Sequence, residues 1–141
     1  MASRMSNNEV EIFLAELVSR GHVRASEWPS DFPVAIADLG LEIDLKVGRM
    51  SVTEPIIELD IPYLRDTLAK KEPSLNLRYS RLVSSTNTMV VDSYSKGNRS
   101  DSLFLCEFQY KGRGRRGKTW LSPYASTIMF SLGMKVPKAQ K

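Results

Sequence analysis

The stretch EFQYKGRGRRGKTWLSP (107–123) combines glycine and arginine at a density rarely seen in a folded chain. Three glycines alternate with three arginines in 112–117, and five cations with no acid stand between 111 and 118. Glycine permits positive φ angles and lets backbone N–H groups approach a ligand closely. Arginine offers paired planar donors that match phosphate or carboxylate. The pattern therefore predicts an anion-binding loop, although its spacing is neither that of a P-loop nor that of a dinucleotide fingerprint.

Two simpler interpretations of the loop stay open at this level. It is a solvated basic segment, or it binds nucleic acid non-specifically through its charge. The neighbouring residues favour a small-ligand site instead. Gln109 ends an apolar run and Trp120 follows the arginines. A polar amide beside cations and an aromatic side chain is typical of such sites.

The segments around the loop predict an α/β (α+β) fold with a mixed sheet. Alternating or continuous apolar residues predict strands over 75–83, 102–109 and 126–136, and capping residues open a helix over 84–95. The loop 110–122 itself is expected to be irregular and poorly ordered without ligand. Three strands would leave apolar side chains uncovered, namely Phe104, Leu105, Ile128 and Phe130.

The first half of the chain predicts a smaller, separate arrangement. Helical spacing over 9–20 ends at Gly21, and a short helix is expected within 31–40 with Pro33 in its first turn. Residues 41–53 are predicted to form a hairpin, and the segment TEPIIELD (53–60) an extended linker. Asp60 is expected to cap a helix over 61–71 with Pro62 in its first turn.

Composition excludes several classes of protein and site. The chain has 141 residues, 42% hydrophobic and 26% charged, which is unlike a disordered segment, and no apolar run is long enough to span a bilayer. One cysteine and one histidine cannot build a zinc site, and they lie far apart in sequence for a nucleophile pair. We expect no metal bound by the chain, no membrane association, a buried reduced Cys106 and a cytoplasmic location.

Three motifs together resemble one family. GRGRRGKTWLSP (112–123), SSTNT (84–88) and EFQ (107–109) resemble the ligand loop, the S-T-N element and the E-[YF]-Q strand end of bacterial biotin–protein ligases. That family includes the bifunctional biotin ligases that also repress the biotin operon. The resemblance runs from about 54 to 136 and implies part of a catalytic domain similar to class II aminoacyl-tRNA synthetases.

The resemblance implies a two-step reaction and a set of site residues. Biotin and ATP with Mg²⁺ give biotinyl-5′-adenylate, and a lysine of the biotin carboxyl carrier protein of acetyl-CoA carboxylase then takes the biotinyl group. Arg115 and Arg116 would be catalytic. The implied biotin-binding residues are Ser85, Thr86, Asn87, Gln109, Arg113, Gly114 and Arg115. The implied adenylate-binding residues are Gly112, Arg113, Gly114, Arg115, Arg116 and Trp120.

Four of these residues also have a purely structural interpretation. Ser85 and Thr86 could only cap a helix, Gln109 could be a polar residue at a strand edge, and Trp120 could be ordinary core. These alternatives predict different burial and hydrogen bonding from the binding roles, so the structure bears on them.

The sequence also departs from the family pattern. The downstream lysine segment, similar to K-W-P-N-D, is absent, so we expect residues 54–141 to be an incomplete, inactive or weakly active piece of the catalytic domain. Residues 1–53 resemble a degenerate winged helix, but 21–40 offer few donors for the major groove, which argues against operator binding. A DNA-binding repressor without ligase activity stays as the alternative function. The family also implies that a homodimer could form.

Overall fold

The computed structural model describes residues 5–136, which divide into two compact units. Unit 1 contains residues 5–58 and 122–127, and unit 2 contains residues 59–121 and 128–136. The predicted assignment of 1–53 to a winged-helix-like region and 54–141 to a catalytic region stays a prediction. None of the described helices is long and apolar enough to cross a membrane.

Unit 1 begins with helix α1, Asn7–Arg20, whose ends follow from local chemistry. A capping box joins Ser6 and Glu9, and these hydrogen bonds from Ser6 lower the pKa of the Glu9 carboxyl. Gly21 ends the helix in the left-handed conformation at φ 69°. The helix was predicted, but its start lies two residues earlier than expected because the capping box was not recognised.

A small antiparallel sheet and a second helix complete the core of unit 1. The elements are β1 (His22–Arg24), a 3₁₀ turn (Ala25–Glu27), α2 (Phe32–Asp38), β2 (Ile43–Lys46) and β3 (Arg49–Val52), with sheet order β1-β3-β2. The predicted hairpin and short helix are confirmed, whereas β1 was not predicted. The core is formed by buried apolar side chains, including Leu14, Leu17, Val23, Phe32, Ile36 and Met50.

Residues 122–127 belong to unit 1 although they follow the Gly/Arg loop in sequence. Tyr124 is buried, its N–H donates to the carbonyl oxygen of Leu39 at 2.8 Å, and its hydroxyl donates to Glu58. Pro123 packs against Gly40. The predicted strand over 126–136 is therefore too long, because its first residues pack in unit 1 and do not pair with the sheet of unit 2.

Unit 2 is a mixed three-stranded sheet with helices. Its main elements are α3 (Ile61–Lys71), β4 (Asn76–Val83), α4 (Thr86–Ser95), β5 (Ser102–Gln109) and β8 (Met129–Gly133). The strand order is β4-β5-β8, with β4 and β5 parallel and β5 and β8 antiparallel. Since α4 connects two parallel strands, β4, α4 and β5 form a crossover unit. The predicted α/β class with a mixed sheet is confirmed.

The Gly/Arg loop is more regular than the sequence predicted. Within it lie β6 (Gly112–Arg113), a 3₁₀ turn (Arg115–Gly117) and β7 (Thr119–Trp120), and β6 pairs antiparallel with β7. The prediction of an irregular segment over 110–122 is therefore wrong in its middle part. Pairing between main-chain groups, which residue propensities do not reveal, produces this short hairpin.

The prediction of uncovered apolar side chains is half right. Ile128 and Phe130 are 67% and 58% exposed, whereas Phe104 and Leu105 are 4% and 5% exposed. The last two are buried because β5 is the central strand of the sheet and α4 packs against it.

Candidate functional site

The end of β4 and the start of α4 place two hydroxyl residues in the interior of unit 2. Ser85 and Thr86 are both buried. Ser85 occupies the N-cap position with extended backbone, yet its side chain makes no capping hydrogen bond. The interpretation of Ser85 as a side-chain cap is therefore wrong. Its hydroxyl makes no hydrogen bond within residues 5–136 and is available to another partner.

Thr86 and Gln109 form a direct hydrogen-bonded pair. The Thr86 N–H donates to Gln109 Oε1 at 2.7 Å, and the Thr86 hydroxyl lies 3.2 Å from the same oxygen. Because a backbone N–H can only donate, this contact fixes which end of the Gln109 amide is the oxygen. The helix start thus orients the side chain at the end of β5.

Ser131 on β8 extends this pair into a chain of three polar groups. Its Oγ lies 2.8 Å from Thr86 Oγ1. If the Thr86 hydroxyl donates its single proton to Gln109 Oε1, the Ser131 hydroxyl donates to Thr86 Oγ1. Both hydroxyl protons then have an acceptor. Gln109 Nε2 then faces Met129 Sδ at 3.6 Å, which is a weak acceptor. The amide N–H₂ of Gln109 therefore retains most of its donor capacity.

Ser131 was not among the residues predicted from the sequence. Its only signal is a hydroxyl between two apolar residues, Phe130 and Leu132, in a strand. The antiparallel register of β5 and β8 brings it to Thr86, 45 residues away in sequence.

The Gly/Arg loop starts directly beside this polar cluster. The N–H groups of Tyr110 and Lys111 donate to the carbonyl oxygens of Val83 and Ser84 at 3.1 and 2.9 Å, so the loop leaves along the end of β4. A Cβ atom on Gly112 would lie 3.4 Å from Gln109 Nε2 and 2.8 Å from the Trp120 carbonyl oxygen. Only glycine fits there, and its presence lets the loop pass against the Gln109 amide.

The tip of the loop is a tight turn that displays its cations. The Gly114 N–H donates to the Lys118 oxygen at 2.6 Å, and the Lys118 N–H donates to the Arg115 oxygen at 3.3 Å. Arg116 adopts a left-handed conformation at φ 58°, which is unusual for a residue with a side chain. The cationic side chains are exposed and form no ion pair or hydrogen bond within the described residues: Lys111, Arg113, Arg115, Arg116 and Lys118.

The other predicted site residues lie at the surface. Trp120 is 48% exposed on β7, which excludes its interpretation as ordinary core. Asn87 is exposed in the first turn of α4. The structure thus brings Thr86, Gln109 and Gly112 into contact, and it leaves the arginines and Trp120 presented to solvent on the adjoining hairpin.

Cys106 and Glu107 are buried titratable residues of β5 whose contacts indicate a structural role. Burial, with the neighbouring Glu107 charge adding to it, raises the pKa of Cys106 to about 12, so this thiol is not a nucleophile at neutral pH. Glu107 accepts from the Leu59 N–H at 2.9 Å and the Tyr79 hydroxyl at 3.1 Å. No group of three potential metal-ligating side chains occurs within residues 5–136.

Comparison with known proteins finds two curated relatives of this chain. The bifunctional ligase/repressor BirA of Salmonella typhimurium (strain LT2) is 31% identical over 98 residues, which cover 69% of this chain and 29% of that protein. The bifunctional ligase/repressor BirA of Escherichia coli (strain K12) is 24% identical over 140 residues, covering 91% of this chain and 42% of that protein. The chain therefore spans less than half the length of these curated relatives.

A family match supports the resemblance inferred from the motifs. The biotin/lipoate A/B protein ligase family matches residues 79–141, which include the second half of β4, α4, β5 and the Gly/Arg loop. With the two relatives, this match confirms the predicted likeness to biotin–protein ligases. Residues 79–141 of this chain are therefore similar to the biotin/lipoate A/B protein ligase family.

Proposed function

We propose that this chain carries the ligand site of an ATP-dependent biotin–protein ligase, which converts biotin to biotinyl-5′-adenylate and transfers it to a lysine of biotin carboxyl carrier protein. One observation carries the proposal. The buried polar cluster around Gln109 and the cationic loop are adjacent, with Gly112 joining them. Such an arrangement suits a ligand with a compact polar head at one end and an anionic group at the other.

The polar cluster would hold the ureido ring of biotin. Gln109 Nε2 retains donor capacity for the ring carbonyl, and the Ser85 hydroxyl can donate or accept. Thr86 and Ser131 would act by fixing the Gln109 amide. Asn87, at the start of the same helix, would add a further amide. A site built of buried, oriented hydrogen-bonding groups rejects analogues that lack matching groups, because its polar atoms would be left unpaired.

The loop would hold the adenylate. Biotin carboxylate oxygen attacks the α-phosphorus of ATP and pyrophosphate leaves, so negative charge gathers where carboxylate and phosphate meet. We propose Arg113 at this junction, Arg115 and Arg116 as the catalytic residues that stabilise the charge, and Gly112 and Gly114 as backbone contacts. Trp120, exposed on β7, would pack against the adenine. Folding of the hairpin over the ligand would exclude water from the mixed anhydride.

Metal and partner requirements are part of the proposal. ATP would bring Mg²⁺ on its phosphates. In the second step the carrier lysine amine attacks the acyl carbon, and AMP leaves with the bonding electrons. The carrier protein and a homodimer are predictions taken from the family resemblance, and the cytoplasmic location is a prediction from the single reduced cysteine.

Retention of tritiated biotin on a desalting column tests this function. We expect MgATP to increase the retained label, because the adenylate contacts both parts of the site. Arg115→Gly should lower retention by about tenfold or more, since a charge-assisted hydrogen bond contributes roughly 1.5–3 kcal/mol. Lys71→Gln, an exposed cation on α3, is the matched control. Label that is retained equally without ATP, or displaced more readily by lipoate than by biotin, would contradict the proposal.

A second candidate function, nucleic-acid binding by unit 1, has one supporting observation. Arg24, Arg49 and Lys46 lie side by side across β1, β3 and β2, and all three are exposed. Adjacent cations on one sheet face can contact neighbouring phosphates. Helix α2 does not share this character: its exposed residues are Val34, Ala37 and Asp38. Base reading in a major groove therefore has little support.

The salt dependence of binding separates the two candidates. Duplex DNA held by these three cations should lose affinity steeply as salt rises, because phosphate contacts release counterions. The substitution Arg49→Gln should reduce the slope by about one. Binding of biotin with ATP should depend far less on salt. Absence of any salt-sensitive DNA binding would remove the second candidate.

A further inference from the structure

A second cationic groove lies in unit 2 along β4. It has a volume of about 710 Å³, and five consecutive strand residues, 76–80, line one wall. Because side chains of consecutive residues point to opposite faces, a wall made of all five is the outer edge of the strand. Among the described strands, β4 pairs only with β5, so this edge is not covered by another strand of the sheet.

Helix α4 forms the opposite wall with a single face. Its contributing residues are Met89, Asp92, Ser93 and Lys96, which follow helical spacing. The base of the groove is formed by Phe104, which is buried, and Met89, which is half-buried, whereas the pairing of Arg78 with Phe104 turns Leu77 to the opposite face of the sheet. The groove is thus an elongated channel with an apolar base between a strand edge and a helix.

Three cations line the channel. Arg65 comes from α3, Arg78 from β4 and Lys96 from the end of α4. Their side chains form no ion pair or hydrogen bond with any residue in 5–136. Asp92 is the single acid in the lining, so positive charge exceeds negative charge by two. Cations drawn from three elements around an apolar base are complementary to an anionic, partly apolar ligand.

We propose that this groove is a separate binding site for an extended segment of a partner protein, about five residues long, in which carboxylate side chains alternate with apolar ones. The length follows from the strand wall, since five extended residues span roughly 16 Å. Alternation places apolar side chains on Met89 and Phe104, and carboxylates towards the cations on the rim. Asp92 would repel a continuous run of phosphates, which favours a peptide over a nucleic acid.

This site goes beyond the proposed ligase function and uses none of its residues. The cations of the Gly/Arg loop and the Gln109 cluster do not line the groove. Loss of peptide binding and loss of biotin binding can therefore be observed independently in the same protein.

Fluorescence anisotropy with a labelled decapeptide of alternating glutamate and valine tests the proposal. We expect saturable binding, weakened about threefold by each of Arg65→Gln, Arg78→Gln and Lys96→Gln, as exposed ion pairs typically are, and about tenfold or more by the triple variant. Lys71→Gln, which removes an exposed cation of α3 outside the groove, should not change it. A decapeptide of alternating lysine and valine should not bind.

Four outcomes would overturn the proposal. The first is no binding of the acidic peptide, and the second is binding that survives the triple variant while its near-ultraviolet circular dichroism matches wild type. The third is binding lost on Arg113→Gln and Arg116→Gln, which would place it on the Gly/Arg loop. The fourth is tighter, groove-dependent binding of duplex DNA than of the peptide, which would assign the groove to nucleic acid.

Discussion

Gly112 is the residue at which the loop and the polar cluster meet. Its missing side chain leaves room for the Trp120 carbonyl oxygen on one side and the Gln109 amide on the other. Sequence reasoning assigned the loop glycines a common role as flexible anion-binding positions. The structure gives Gly112 a more specific role. A side chain at this position would collide with a main-chain atom, the carbonyl oxygen of Trp120.

Substitution Gly112→Ala should therefore open the hairpin. The new Cβ would lie 2.8 Å from the Trp120 oxygen, a main-chain atom that cannot rotate away, so β6 and β7 must separate. We expect trypsin to cut after Arg113, Arg115 and Arg116 several times faster than in wild type. Gly114→Ala is the control, since its Cβ would lie 3.3 Å from the Lys118 oxygen and need only a small shift. Equal cleavage of wild type and Gly112→Ala would show that the contact does not hold the loop.

Because of Cys106, we expect the folding stability of the chain to change with pH in the alkaline range. Burial raises the pKa of its thiol from 9.0 to about 12 in the folded chain. Between these values the unfolded chain releases the proton and the folded chain keeps it, so folding stability falls as pH rises. At pH 10.5 the loss is roughly 2 kcal/mol.

Urea unfolding at pH 8 and pH 10.5 measures this effect. Cys106→Ala removes the titrating group and should show a smaller drop in unfolding free energy than wild type over this range, the remaining drop being due to other groups. Identical drops in the two proteins would mean that the thiol ionises with the same pKa in the folded and unfolded chains.

At the scale of secondary structure, β8 is held under α4 by a close contact. A Cβ on Gly133 would lie 2.5 Å from Tyr94 Cε2 and 3.0 Å from Val90 Cγ1. We predict that Gly133→Ala lowers the free energy of unfolding by about 1–3 kcal/mol through overpacking. The cost should fall in the presence of Tyr94→Leu, which removes the ring. Additive effects of the two substitutions in a double-mutant cycle would contradict the predicted contact.

Elements with local signals were the ones predicted well. Helix α3 begins after Asp60, whose side chain accepts from the Tyr63 N–H at 2.9 Å, and β5 matches its predicted bounds. Strand β1 escaped prediction because it has only three residues and exists through pairing with β3. The hairpin β6–β7 depends in the same way on main-chain pairing.

The site residues show the same distinction between local sequence signals and positions that depend on strand pairing. Thr86 and Gln109 were predicted because recognisable motifs contain them, and the structure joins them by a hydrogen bond. Ser131 carries no motif, and only the register between β5 and β8 brings it to Thr86. The exposure of the arginines could not be deduced either, since it follows from the turn that Gly114 and Lys118 close.

At the scale of the whole chain, the proposed chemistry belongs to unit 2. The Gln109 cluster, the loop arginines and the groove along β4 all lie there, whereas unit 1 presents the cations Arg24, Lys46 and Arg49. The residues proposed for small-ligand binding, for peptide binding and for contact with nucleic acid are therefore different residues. Each can be removed by substitutions that leave the others in place.

Calorimetric titration with a non-hydrolysable biotinyl-adenylate analogue tests most directly whether the polar cluster and the Gly/Arg loop form one site. We predict one-to-one binding that weakens about tenfold or more in both Gln109→Leu and Arg113→Gln, because each removes hydrogen bonds to one part of the same ligand. Lys71→Gln should bind as wild type does. An affinity unchanged by either substitution, or no binding by the folded wild-type chain, would contradict the account.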